Sequence, residues 1–404
     1  MDDSMITYQE ALHILAEHRS EFPIESRPLE SCTGAYLAED LLADRDFPPF
    51  DRVTMDGIAI AYRAFENKQR AFRIEATAPA GTPQKILQDP LQAIEVMTGA
   101  ILPHNTDTVI RYEDVFIKDG VATIAVDSIH FKQNIHFKGI DVSKNTPIVK
   151  KGGRLSSAEI NIAAAIGKAA LKVRKMPKTV IISTGDELID IAETPKPHQI
   201  RRSNIYGIKN SLQEWGMTAD LAHLPDDRKI MYSKISGLLQ NYEVLVFTGG
   251  VSKGKFDFLP DVLDELHIRK NIHKVQQRPG KPFWFGSSTS HHKIFALPGN
   301  PVSSFVCIYV YLRYWLQTSL GLKETPLYVK LGEEVNFPAD LTYFLEARLT
   351  NGEDGTLTAF PELGHGSGDF VNLVQTDGFL ILPQDRNIFK KGETYPFISY
   401  RCNC

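Results

Sequence analysis

Thr248-Gly249-Gly250-Val251-Ser252-Lys253-Gly254-Lys255-Phe256-Asp257 follows the uninterrupted apolar run 244–247. A short apolar run closed by glycine reads as a buried parallel strand. Beyond the loop, Leu259, Val262, Leu263 and Leu266 recur at helical spacing, which makes the segment a strand–loop–helix unit. Gly249, Gly250 and Gly254 free the backbone for conformations that a side chain forbids, and for close approach to a ligand. Successive N–H groups and the helix N-terminus then favour an anion. Asp257 repels a bare anion unless a cation lies between them. The pattern therefore points to phosphate together with a divalent metal.

Outward from this unit, strand and helix patterns alternate. The spacing predicts strands over 179–183, 218–224 and 293–297. It predicts helices over 205–215, capped by Ser203 or Asn204, over 228–239, and from Val302 onward. Such alternation implies a doubly wound parallel sheet with helices on both faces. Before it, 6–18 reads as an amphipathic helix. The chain then becomes β-rich from Asp46, with short strands over 71–78, 93–97, 108–112 and 121–126. Residues 154–171 return to helix, capped by Ser156 or Ser157 with an Ala-rich body that ends at Gly167. From Thr325 the pattern is β again, read as a small barrel or sandwich.

The bulk properties narrow the function. At 404 residues the chain exceeds one hydrophobic core, so three or four domains are expected. A net charge of −4 argues against a broad basic surface for nucleic acid. The apolar run 302–320 is broken by Arg313 and Gln317, which fits a buried or interface helix better than a membrane span. Four scattered cysteines form no disulfide framework, and the terminal Cys402-Asn403-Cys404 reads as a frayed tail. The N-terminus has no signal-peptide pattern, so a reduced, cytoplasmic protein is expected.

In an open α/β sheet, ligands gather beyond the carboxyl ends of the strands. Four segments place polar groups there. They are Thr184-Gly185-Asp186-Glu187, Asp226-Asp227, the opening loop with Ser252 and Asp257, and Pro298-Gly299-Asn300-Pro301. In the last, the prolines fix φ and are expected to leave helix N-terminal amides free. Carboxylates without His or Cys clusters favour Mg²⁺. Lys274, Arg278 and Lys281 add charge suited to an oxyanion.

Together these motifs name a family. Ser183-Thr184-Gly185-Asp186-Glu187-Leu188, the 248–257 run, Arg278-Pro279-Gly280-Lys281-Pro282 and 297–303 occur in order, preceded by Met55-Asp56-Gly57 and Met97-Thr98-Gly99-Ala100. The whole chain resembles the MoeA family of molybdopterin molybdenumtransferases, which includes the gephyrin E domain. The resemblance implies an L-shaped, dimerising subunit of four domains. These are a split helical/β linking domain over 1–45 and 138–174, an inserted β-rich domain over 46–137, a central doubly wound α/β domain over 175–324, and a C-terminal small β-barrel over 325–404. It also implies the reaction: molybdate, as substrate, enters the dithiolene of molybdopterin-adenylate, and AMP leaves in the presence of Mg²⁺.

By the same resemblance, Asp56, Thr98, Asp141, Glu187, Asp226 or Asp227, and Asp257 are the functional acidic and hydroxyl positions, with Glu187 and Asp257 on Mg²⁺. Thr184, Gly185, Thr248, Gly249, Gly250, Ser252, Gly254, Lys274, Arg278, Lys281, Pro298, Gly299, Asn300, Pro301 and Ser367 fall around the molybdate or the nucleotide. The resemblance places the site between two subunits of a homodimer, with Asp56 and Thr98 facing the partner chain, and makes an adenylyltransferase a possible partner. The sequence departs from the family pattern at His136 and Ile140 near Asp141, at Ile58, at Arg278 where lysine is usual, and at Glu346 where arginine is usual. A non-catalytic scaffold on the same fold and an adenylyltransferase-like enzyme are the alternative readings. The acidic set disfavours the first and the additional domains disfavour the second.

Overall fold

A computed structural model describes residues 5–251, 258–289, 291–323, 325–337, 340–364 and 366–401. Its centre is a six-stranded sheet in the spatial order Ala219–Leu224, Thr179–Thr184, Val244–Thr248, Lys293–Leu297, Trp284–Ser287, Arg269–His273. The first four strands are parallel. Trp284–Ser287 runs against its neighbours on both sides, a hairpin edge that the sequence pattern did not reveal.

Alternation along the strands sends side chains to two cores. Ile181, Val244 and Val246 face the helix Asn204–Glu214 and the long helical run from Pro301. Val180, Ile182, Leu245 and Phe247 face the helices Arg228–Leu239 and Leu259–Glu265. The run from Pro301 to Leu320 widens to a π-turn at Ile308–Leu312. Tyr309, Tyr311 and Trp315 are buried in it, as expected for a core helix.

Three expectations change in detail. The N-terminal helix forms at Tyr8–Glu17 behind a Thr7–Glu10 capping box, but Ala11 and Leu15 pack into the α/β core. Trp315 Nε1 donates to the His18 carbonyl at 3.1 Å and fastens the end of that helix. The helix expected over 154–171 is confined to Ser157–Ala165, capped by Ser156 and Glu159. The chain turns at Gly167 with φ +77°, and Ala170–Arg174 becomes a strand antiparallel to Ile24–Pro28. Ser203 makes no side-chain capping bond, and Asn204 donates instead to the Gly299 carbonyl at 2.8 Å.

The segment 57–124 folds as a second six-stranded sheet, in the order 108–111, 57–60, 93–96, 71–78, 121–124, 115–118. At the C-terminal end, strands 342–351, 357–361, 327–331, 394–399 and 378–382 close into a five-stranded barrel. Gln277–Arg278 pairs in parallel with Thr342–Tyr343, so a backbone ladder joins the α/β unit to the barrel.

Candidate active site

The strand order reverses between Thr179–Thr184 and Val244–Thr248, which makes their carboxyl ends the switch point. A cleft of about 320 Å³ opens there, between Thr184, Gly185, Glu187, Asp226, Gly249 and Asn300. Gly249 has φ +90°, and a Cβ on it would come within 2.9 Å of Thr184 Oγ1. Only glycine allows the two loops to approach this closely. Gly250 has φ +74° and lines the same wall. Glu187 folds back over Gly185, whose φ is +133°.

The two candidate aspartates separate cleanly. Asp226 lines the cleft, and its N–H donates to Asp186 Oδ1 at 3.2 Å. Asp227 Oδ1 accepts from the N–H groups of Lys229 and Ile230, both at 2.9 Å, and so caps the following helix. Arg201 and Arg202 also line this cleft and were not singled out from sequence. Their position immediately before the Ser203-Asn204 helix start was the available signal. Arg202 pairs with Asp190.

A second cleft of about 510 Å³ lies between the α/β unit and the barrel, lined by Arg278, Lys281, Pro298, Ser303, Glu346 and Ser367 among others. Asn300 lines both clefts, and its Nδ2 donates to Ser367 Oγ at 2.8 Å. The Arg278 guanidinium stands 5.6 Å from the Phe337 ring centre and 5.8 Å from that of Tyr343. One expectation fails here: the Val302 N–H, read as free at the helix start, donates to the Ser367 carbonyl at 3.1 Å. Arg348 does not replace a cation in the cleft. It turns to Glu362 at 3.6 Å, while Glu346 faces the cavity. Lys274 lines neither cleft.

Asp56, Thr98 and Asp141 also lie outside both clefts in this chain. The Thr98 N–H donates to Asp56 Oδ1 at 2.6 Å, and this bond, with a second from the Thr98 side chain, holds the Asp56 carboxyl below the usual carboxylate range. Asp141 Oδ1 lies 2.9 Å from His136 Nε2, and His136 Nδ1 lies 3.1 Å from an Arg52 nitrogen. Strand Arg52–Val53 pairs with Ile135–His136, which ties both groups to one surface. Ser252, Gly254 and Asp257 fall outside the described residues. Among the described residues, no group of three or more His, Cys, Asp or Glu is spaced to hold a metal ion, and no helix is long and apolar enough to cross a membrane.

Two clefts that share Asn300 at the carboxyl edge of a doubly wound sheet, each lined by both acidic and basic side chains, define a multidomain α/β protein with paired cavities at its switch point. Three family models match the chain: the MoeA N-terminal region (domain I and II) over 6–167, a probable molybdopterin binding domain over 180–318, and the MoeA C-terminal region (domain IV) over 328–400. The chain is 40% identical to a molybdopterin molybdenumtransferase of Synechocystis sp., covering 98% of this chain and 100% of that one. It is 29% identical to the protein of that name from Bacillus subtilis, covering 98% and 94%. The molybdopterin biosynthesis MoeA protein of Pyrococcus horikoshii superimposes with a TM-score of 0.82 at 27% identity, covering 98% of this chain and all of that one. The chain belongs to the MoeA family of molybdopterin molybdenumtransferases, a family of transferases in molybdenum cofactor biosynthesis.

Proposed function

We propose that this chain inserts molybdate into the dithiolene of molybdopterin-adenylate and releases AMP. The observation that carries the reading is the meeting of the two clefts at Asn300. One ligand of nucleotide size with a pterin arm spans the pair, since binding clefts of this kind run to roughly 300–1,000 Å³. The sulfur ligands for molybdenum belong to the pterin, so the chain needs no thiol of its own. Its described cysteines, Cys32 and Cys307, are buried, and neither lines a cleft. Its task is to hold two oxyanions in register, which Arg278, Lys281, Asn300 and Ser367 do on one side and the glycine-walled loops do on the other.

Glu187 and Asp226, with Asp257, suit Mg²⁺, which takes one or two carboxylates and completes its shell with water and substrate phosphate. The open backbone at Gly185, against which the Glu187 carboxylate rests, leaves that donor free of a covering side chain. A bound Mg²⁺ would offset phosphate charge in the switch-point cleft. Asp56, Thr98 and Asp141 complete the site from the second subunit of a homodimer, which accounts for their distance from both clefts in one chain. The chain divides into the four domains set out above, except that the helix Tyr8–Glu17 packs with the α/β domain; it works in the cytoplasm and receives its nucleotide substrate from an adenylyltransferase.

The test is AMP release from purified molybdopterin-adenylate with Mg²⁺, with and without molybdate. Molybdate-stimulated release supports the transferase. Bound but unreleased nucleotide points to a scaffolding homologue.

A further inference from the structure

We propose that Glu346 controls oxyanion entry to the second cleft: the neutral carboxyl donates a hydrogen bond to the bound anion, and the carboxylate excludes it. The inference rests on reading that cleft as the molybdate site. Four charged side chains line the cavity, Arg278 and Lys281 against Glu346 and Glu362. A carboxylate beside a dianion costs affinity, and more so in a half-enclosed cleft where water screens poorly. The two acids are not equivalent. Glu362 Oε1 lies 3.6 Å from Arg348 Nε, so its charge has a partner outside the cavity.

Glu346 forms no ion pair among the described residues. Asn372 Nδ2 donates to its Oε2 at 2.5 Å, which engages one oxygen. The groups packed round it offer little else for its charge. Tyr343 lies on its own strand, Asp369 and Asn372 on the loop and short helix above, and Tyr400 at the end of the last barrel strand. Burial, with the neighbouring Asp369 charge adding to it against the Asn372 bond, pushes the Glu346 carboxyl up to about 7. The group therefore changes state near neutral pH.

The experiment is calorimetric titration of the full chain with sodium molybdate between pH 6 and 8.5, for the wild type, Glu346→Gln and Lys281→Ala. Molybdate remains a dianion throughout, so any slope belongs to the protein. For a single controlling proton the wild-type affinity falls about tenfold from pH 6 to pH 8, in step with the neutral fraction. Glu346→Gln keeps a donor and keeps an oxygen for Asn372; it is expected to bind with no pH slope, and more tightly than wild type at pH 8. Lys281→Ala is expected to weaken binding at every pH and to keep the slope. A flat wild-type profile, or a Glu346→Gln profile that keeps the slope, overturns the role of Glu346 while leaving molybdate-stimulated AMP release untouched. Absence of molybdate binding at any pH removes the cleft as the oxyanion site, and the inference falls with it.

Discussion

The carboxylate of Glu187 rests on the backbone of Gly185, so closely that a Cβ at residue 185 would meet its two oxygens at 2.5 and 2.7 Å. Gly185→Ala must therefore displace the acid, and it also forces a side chain onto φ +133°. The backbone strain costs about 1–3 kcal/mol. AMP release is expected to fall by more than the loss of folded protein explains. Thermal unfolding run beside the turnover assay checks this, and normal turnover would remove Glu187 from the site.

Asp226 and Asp227 are adjacent and should fail in opposite ways. Asp227→Ala removes the acceptor of two helix N–H groups and is expected to lower stability by about 0.5–2 kcal/mol with turnover largely kept. Asp226→Asn is expected to leave the unfolding midpoint in place and to abolish Mg²⁺-dependent release. Denaturation and activity measured on both variants decide the assignment, and the reverse pattern would overturn it.

A site shared between subunits can be rebuilt from two broken chains. Asp56→Asn and Asp226→Asn are each expected to be inactive as homodimers. Mixed and allowed to exchange in equal amounts, half of the dimers carry one intact site of two. The mixture should then show about a quarter of wild-type turnover. Activity that stays at zero after exchange, confirmed by native mass spectrometry, would place all of these residues in one chain's site or in none.

Glu346 gives stability a pH dependence of defined sign. Its carboxyl titrates at about 7 in the folded chain and near the ordinary glutamate value when unfolded. Between those two values the folded state holds the extra proton, so this group's contribution falls as pH rises and is least favourable above 7. Glu346→Gln is therefore expected to raise the melting temperature at pH 8 and to change it little at pH 4.5. Equal effects at both pH values would show that the Glu346 carboxyl does not change its charge between them.

The α/β sheet was legible because three of its strands, Thr179–Thr184, Val244–Thr248 and Lys293–Leu297, are buried on both faces and end in polar turns. The strands Arg269–His273 and Trp284–Ser287 were not legible. The first carries Arg269, Lys270 and Asn271 at an exposed edge, and the second is only four residues long. The motif residues of the switch point, Thr184, Gly185, Glu187, Asp226, Gly249 and Asn300, do come together. Sequence could not separate Asp226 from Asp227, because only the direction in which each side chain leaves the turn distinguishes a cavity wall from a helix cap. Lys274 looked equivalent to Lys281, yet it sits at φ +65° just past the strand Arg269–His273 and lines neither cavity. The amide of Val302 looked free because its acceptor, the Ser367 carbonyl, lies 65 residues away in a different sheet's loop.

The ladder between Gln277–Arg278 and Thr342–Tyr343, with the Val302–Ser367 bond on the opposite wall, sets the spacing of the second cleft by main-chain hydrogen bonds. Such a cavity is a gauge and not a jaw. Its width is held by the main chain itself, so a change of side chain in the lining alters what the cavity presents without altering how far apart its walls stand.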